Sequence, residues 1–167
     1  GITSDQIVTT AVTDVGSNDW TEVDGYIDGE NANDLSGHSV SLSADGNVVA
    51  IGAPWNDGNG TDSGHVSIFK NVNNTWTQVG SDIDGEAAGD RSGWTVSLSA
   101  DGTVVAIGAT NNDSNGTDSG DGHGHVRIYK NVNNTWTQVG SDIDGESADD
   151  LSGTSVSLSS DGNVVAI

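Results

Sequence analysis

The sequence predicts an all-β protein made of repeated four-stranded units. The phrase SLSADGNVVAIGA at residues 41–53 returns almost unchanged at residues 97–109 and begins again at residues 157–167. Near-identical segments headed by tryptophan also recur, at spacings of 56 and 60 residues. These tryptophans are Trp20, Trp76 and Trp136. Blades of known propeller repeats run to about 40 to 50 residues and hold four antiparallel strands, so a β-propeller is the predicted architecture.

The first hairpin of the unit is predicted from side-chain periodicity. SVSLS at residues 39–43 alternates apolar and polar side chains with a period of two, as in a strand with one buried face. Asp45 and Gly46 supply the positive φ angles of a tight hairpin. VVAIGA at residues 48–53 is continuously apolar, which indicates a strand covered on both faces.

A second hairpin follows a polar loop. HVSIFK at residues 65–70 alternates again, NVNN at residues 71–74 turns the chain, and TWTQVG at residues 75–80 gives a fourth strand. Two successive hairpins make one four-stranded antiparallel blade.

The repeats do not fill the whole sequence evenly. Residues 1–19 match poorly and are predicted to contribute a partial blade, whereas residues 20–167 hold the repeats. Because the segment before Trp20 takes the place of a third strand, the sequence predicts about three blades' worth of strands, cut across a blade. Three blades close too small a ring. We therefore expect either the rest of a longer chain or another copy, in a homo-oligomer or fibre, to complete it.

The charge composition excludes several classes of partner. The chain has 167 residues, of which 25 are Asp or Glu and only 4 are Lys or Arg, for a net charge of -21. Without a basic stripe, binding to nucleic acid or to anionic membrane surfaces is not expected. No apolar run is long enough to predict membrane insertion. The absence of cysteine excludes disulfides and thiol catalysis.

The segment from Ser36 to Lys70 resembles the FG-GAP repeat of integrin α-subunit propellers and their bacterial and algal relatives. GAP stands at residues 52–54, and its first two residues return at residues 108–109. Serine-glycine pairs stand where the family has Phe-Gly: Ser36-Gly37, Ser92-Gly93 and Ser152-Gly153. The resemblance covers roughly residues 20–167. It implies a propeller in extracellular or cell-surface proteins of adhesion and binding.

One departure from the family concerns calcium. The resemblance implies a calcium loop of alternating Asp and Asn between the first two strands of a blade. Here that place holds only a short turn around Asp45, Asp101 or Asp161. Calcium takes about six to eight oxygen ligands, so the family's calcium site is not expected.

Two other loops have the composition of a calcium site, with acidic and amide side chains on a glycine-rich segment. Neither ends in the glutamate that closes an EF-hand loop, and a solvated turn is the alternative interpretation. The candidate ligands are Asp57, Asn59, Asp62, Asp113, Asn115, Asp118 and Asp121.

A set of carboxylates recurs around the phrase IDGE in all three repeats. One interpretation is structural, with Asp side chains bonded to loop amides between blades. The other is a cation shared by these carboxylates. The set comprises Asp28, Glu30, Asp34, Asp84, Glu86, Asp90, Asp144, Glu146 and Asp150.

Some aromatic and imidazole side chains are not repeated. Trp55 and Trp94 lie in or beside loops, where they either stack on a sugar ring or pack at the blade rim. His123 and His125 lie on one face of an extended segment and are candidate ligands for zinc or copper.

The sequence favours a non-enzymatic, extracellular or cell-surface module with a structural or adhesive role. Near-identical repeats suit multivalent contact or regular assembly, with further copies or extracellular proteins and glycans as partners. A lectin-like adhesin that acts through loop residues is one alternative. A propeller hydrolase or lyase is another, although no serine elbow or cysteine nucleophile is present. Sequons that permit N-glycosylation of a secreted form occur at Asn59, Asn73, Asn115 and Asn133.

Overall fold

The computed structural model describes residues 6–7, 25–113 and 122–167. Within these ranges the chain is all-β, as the sequence predicts, and contains no helix that could cross a membrane. The strands are β1 (Gln6–Ile7), β2 (Ile27–Asp28), β3 (Ser39–Leu42), β4 (Val48–Ala53), β5 (His65–Val72), β6 (Thr75–Gln78), β7 (Ile83–Asp84), β8 (Ser92–Leu98), β9 (Val104–Ala109), β10 (His125–Val132), β11 (Thr135–Gln138), β12 (Ile143–Asp144), β13 (Ser157–Leu158) and β14 (Val165–Ala166).

Two antiparallel sheets share one topology. Blade 1 has the strand order β3-β4-β5-β6, and blade 2 has the order β8-β9-β10-β11. This is the predicted four-stranded meander. Each sheet also carries a two-residue strand, β7 or β12, that pairs with the start of β5 or β10. This fifth strand is not predictable from the sequence, because one isolated isoleucine gives no periodic signal.

Two further strand pairs repeat parts of the same pattern. β1 pairs with β2 in the register that joins β5 to β7, with Gln6 opposite Asp28 as His65 is opposite Asp84. β13 pairs with β14 in the register of β3 with β4. Of the predicted N-terminal segment, residues 1–19, only β1 is described, and Trp20 lies outside the described residues.

The first hairpin of blade 1 is closed by a carboxylate. Asp45 Oδ1 accepts hydrogen bonds from Ser43 Oγ (2.6 Å) and from the backbone N–H of Asn47 (3.0 Å). Only Gly46 of the Asp-Gly pair has a positive φ angle, 70°. The expectation that both residues supply positive φ angles is therefore wrong, because Asp45 acts through its side chain instead.

Because of these turn carboxylates, the protein is expected to lose folding stability in acid. The bonds from Ser43 and Asn47 lower the pKa of Asp45 from 3.8 to about 2. Asp161 is lowered to about 2 in the same way, and the pKa of Asp101 is lowered too. The pKa of Asp45 is lower in the folded state than in the unfolded state. The stabilisation is therefore present above pH 3.8 and is lost as the pH falls toward about 2.

We expect the urea midpoint to fall across that pH window, and to fall less in Asp101→Asn, which cannot be protonated there. The matched measurement is urea unfolding of both proteins at several pH values. An identical pH dependence would show that Asp101 contributes nothing to the acid effect.

The core lies between the two blades. Its buried residues are Ala50, Val66, Ile68, Ile83, Val96, Leu98, Val105, Ile107 and Tyr129. Blade 2 presents only large side chains here, whereas blade 1 presents the small Ala50 from β4 together with Val66 and Ile68 from β5. Val40 and Leu42, which are equivalent to Val96 and Leu98, are 55% and 51% exposed because they face away from blade 2.

The opposite face of β4 is covered as well. Val49 and Ile51 pack there with Ile27, Phe69 and Trp76. The strand is therefore buried on both faces, as its continuous apolar run predicts.

Hydrogen bonds that involve serine side chains join consecutive repeats. Ser41 Oγ accepts the backbone N–H of Leu98 at 2.9 Å, and Ser97 Oγ accepts that of Leu158 at 3.0 Å. Ser39 Oγ donates to the carbonyl of Gly93 at 2.8 Å. The polar face of SVSLS therefore faces the next repeat.

Candidate functional site

Two unrepeated tryptophans meet at the junction between blades 1 and 2. Trp55 follows β4 of blade 1 and Trp94 lies in β8 of blade 2, with ring centroids 5.5 Å apart. His38, just before β3, lies with its ring centroid 4.7 Å from that of Trp94 and 5.6 Å from that of Trp55. His38 is exposed and both indoles are half-buried, so the rings form part of the surface.

Arg91 completes this group. Its guanidinium carbon lies 5.4 Å from the centroid of the Trp55 ring, within the range of a cation–π interaction. The backbone of Arg91 has a φ of 57°, close to the 51° of the leucines at the same position in the neighbouring repeats. The backbone geometry thus belongs to the repeat, whereas the charged side chain is specific to this junction. We call His38, Trp55, Arg91 and Trp94 the aromatic cluster.

The aromatic cluster occupies positions at which the repeats differ. The next junction, between blade 2 and the third repeat, has no aromatic ring at the positions of Trp55 and Trp94. The residues that correspond there to Trp55, Arg91 and Trp94 are Asn111, Leu151 and Thr154. Both junctions form with equivalent backbone hydrogen bonds, so the fold does not require aromatic side chains at the positions of Trp55 and Trp94.

Trp136, one of the repeated tryptophans, has a different role. The indole N–H of Trp136 donates to the carbonyl of Val79 at 2.8 Å and so joins the outer strands of the two blades. With Tyr129 and Asp82, Trp136 lines a cleft of about 350 Å³ at this edge. Trp136 therefore packs the two blades together. Trp55 and Trp94 are not needed for that packing.

A second kind of site recurs in blades 1 and 2. Glu30 follows β2, His65 begins β5 and Asp82 precedes β7, and one ligand atom from each lies within 4.8 Å of the others. The equivalent residues Glu86, His125 and Asp142 meet within the same limit. We call these groups the first and second Glu–His–Asp clusters.

Burial governs the electrostatics of the second cluster. Burial, and then the nearby Arg127 guanidinium, lower the pKa of His125 to about 4, although Asp142 opposes the shift. The imidazole is therefore neutral near pH 7. Burial also raises the pKa of Glu86, against the effect of Arg127, whose Nη1 lies 3.3 Å from Glu86 Oε1.

The repeated aspartates bond to nearby amides. Asp34 accepts a hydrogen bond from the side chain of Asn56 at 2.7 Å. Asp90 accepts one from Asn112 at 3.1 Å and one from the backbone of Ala87 at 2.9 Å. Burial raises the pKa of Asp90.

The other members of the repeated carboxylate set lie elsewhere. Asp150 accepts the backbone N–H of Ser147 at 2.8 Å. The side chains of Asp28, Asp84, Asp144 and Glu146 are exposed. Glu30 and Glu86 instead approach histidines, so the set occupies three environments: bonded to an amide, exposed, or close to a histidine.

The predicted calcium loop of blade 1 is tied to the protein. Asp57 Oδ1 accepts the backbone N–H of Asp62 at 2.9 Å. The Asn59 side-chain amide donates to the carbonyls of Gly85 (2.8 Å) and Glu86 (3.1 Å). In the second loop Asp113 is buried, and the remaining candidates Asn115, Asp118 and Asp121 lie outside the described residues. Calcium in these loops stays a prediction.

The place of the family's calcium loop does not fit the ion. Both carboxylate oxygens of Asp45 accept hydrogen bonds within the turn, and the backbone N–H of Ala44 donates to Ala100 of the next repeat. The turn is therefore a junction element, and offers no cage of free oxygens.

The sequons occupy two kinds of place. Asn73 and Asn133 are exposed and begin two-residue turns, each with a φ of 53°. The amide of Asn59 already makes two hydrogen bonds, and Asn115 lies outside the described residues.

Five candidates were not found from the sequence: His65, Asp82 and Asp142 of the Glu–His–Asp clusters, and His38 and Arg91 of the aromatic cluster. The recurrence of HV at the start of β5 and β10, with an aspartate before IDGE, was an available signal. The sequence instead suggested a pair of metal ligands, His123 and His125. Among the described residues, His123 joins no group of three potential metal ligands.

The two blades and their junction define a β-propeller-type module of four-stranded antiparallel blades. Residues 28–69, from β2 into β5, match the model of the FG-GAP repeat. The resemblance seen in the sequence is confirmed over this segment. No curated protein matches the chain.

Proposed function

We propose that this chain is a non-enzymatic, extracellular adhesive module that binds glycans through the aromatic cluster. The observation that carries the proposal is the contact between Trp55 and Trp94, the two tryptophans that interrupt the repeat, 5.5 Å apart. An extracellular location is supported by the FG-GAP match, because such repeats are typically extracellular.

The chemistry of the aromatic cluster suits a sugar. One face of a pyranose ring presents C–H bonds of slight positive charge, which favour contact with the negative face of an indole ring. His38 and Arg91 lie beside the indoles, and their N–H groups are donors for sugar hydroxyls.

The same chemistry supports binding without catalysis. The four side chains of the aromatic cluster include no carboxyl group, whereas most glycosidases act with a pair of Asp or Glu residues. Self-association with further copies of the chain stays a prediction.

Two substitutions taken from the chain's own repeats test the proposal. Trp55→Asn and Trp94→Thr install the residues found at the next junction, so the fold is expected to survive. On a glycan array, each variant is expected to bind about two- to tenfold more weakly than the parent chain. The reason is that an aromatic contact contributes roughly 0.5–1.5 kcal/mol beyond the area it buries.

Asn111→Ala and Thr154→Ala are the matched controls, because they alter the same positions of the next junction, and both should bind normally. Circular dichroism of every variant checks folding. A parent chain that binds no glycan, or variants that bind as well as the parent, would show that the aromatic cluster is not a glycan site.

A further inference from the structure

We propose that each Glu–His–Asp cluster binds a divalent transition-metal ion such as Zn²⁺, which ties a blade to the chain segments on either side of it. In the first cluster, Glu30 comes from the segment before blade 1, His65 from its third strand and Asp82 from the segment that leads to blade 2.

The geometry is built twice. The second cluster brings Glu86, His125 and Asp142 within the same 4.8 Å limit. It does so although the loop before His125 carries an insertion that the first repeat lacks. An arrangement that survives a change in loop length is set by the sheet, in which β7 and β12 pair with the strands that begin at the histidines.

An unpartnered nitrogen points into the second cluster. His125 is 1% exposed, and its Nδ1 has no hydrogen-bond partner. Asp142 Oδ2 lies 4.0 Å away, too far for a hydrogen bond. In the first cluster, His65 Nδ1 likewise lies 4.0 Å from Glu30 Oε2. Buried polar atoms usually have partners, and an ion between imidazole and carboxylates would provide one.

The donor set selects the class of metal. One imidazole with two carboxylates suits zinc and its transition-metal neighbours, whereas calcium prefers oxygen ligands alone. Zinc lies about 2.0–2.2 Å from such ligands, so the donor atoms must close by about 1 Å. The side chain of Glu30 is 57% exposed and can rotate to do so.

The two clusters should differ in affinity. Arg127 Nη1 lies 3.3 Å from Glu86 Oε1 and competes with a cation for that carboxylate. Blade 1 has Ser67 at the equivalent position. The first cluster is therefore expected to bind the ion more tightly than the second.

Calorimetric titration of the whole chain with ZnCl₂ tests the proposal. We expect two sites of unequal affinity. His65→Gln and Asp82→Asn should each weaken the tighter site by about tenfold or more, because even outer-shell changes cost metal sites that much. Arg127→Ser should tighten the weaker site and leave the other unchanged.

Glu146→Gln is the matched control. Glu146 is equivalent to Glu30 and Glu86 but belongs to no such cluster in the described part of the chain, so zinc binding should be unaffected. Circular dichroism checks folding, and Glu30→Gln replaces His65→Gln if the latter does not fold. A dissociation constant for zinc above about 1 mM would overturn the proposal. So would unchanged zinc binding in both Asp82→Asn and Glu30→Gln, or displacement of zinc by equimolar CaCl₂.

Discussion

The Gly52→Ala variant is expected to lose about 3 kcal/mol of folding free energy, at the upper end of the usual cost of overpacking. A Cβ at residue 52 would overlap the carbonyl oxygen of Gly93 in blade 2. The obstruction is main chain, which cannot rotate away, so the blades would have to move apart. That movement would also break the bond from Ser39 Oγ to Gly93 and the bond from Leu98 to Ser41 Oγ.

Urea unfolding followed by tryptophan fluorescence measures the effect. Gly46→Ala is the control, since a Cβ on Gly46 would have nothing within 4 Å, and only its φ of 70° opposes a side chain. A single left-handed residue costs about 1–2 kcal/mol. If both variants lose the same stability, the contact between the blades is not what requires glycine at residue 52.

This contact gives the repeat signature a physical meaning. Gly52 is the glycine of GAP, and Gly93 stands at the glycine of Phe-Gly in the next repeat. The two meet across the blade junction, and Gly108 meets Gly153 in the same way. Two glycines that are far apart in the sequence therefore contact each other. Because neither has a side chain, the backbones of β4 and β8 can approach closely.

The strands were predictable because their signals are local. Alternation, continuous apolar runs and turn residues lie within a few positions of one another, and both sheets have the predicted meander. The environment of the serines in SVSLS was not predictable. A period of two shows that Ser41 and Leu42 point to opposite sides, but it cannot show that Ser41 meets a backbone N–H of the next blade.

The candidate sites were predictable only in part, for the same reason. Trp55 and Trp94 were found because they break the repeat, but their contact depends on how two blades dock. Glu30 was found because it recurs. His65 was missed because its relation to Glu30 and Asp82 exists only after β7 has paired with β5.

Because of the way the blades dock, replacing the leucine at one position of the repeat by alanine should cost much more folding free energy in blade 2 than in blade 1. Leu98→Ala in blade 2 is expected to lose about 3 kcal/mol of folding free energy, within the range of about 2–5 kcal/mol for buried leucines. Leu98 is 7% exposed and lies in the core between the blades with Val105 and Ala50. The methyl group of Ala50 in blade 1 cannot extend to fill the cavity that alanine would leave at residue 98.

Leu42→Ala changes the equivalent leucine of blade 1, which is 51% exposed, so the same loss of methyl groups should cost about 1 kcal/mol or less. Both values come from urea unfolding at one protein concentration. The comparison holds residue type, strand and neighbouring sequence nearly constant, so the difference measures what blade 1 contributes by covering Leu98. Equal losses of folding free energy in the two variants would contradict an exposed Leu42 and would mean that this face is covered in solution. If the loss in Leu42→Ala then grew with protein concentration, the cover would be a second copy of the chain.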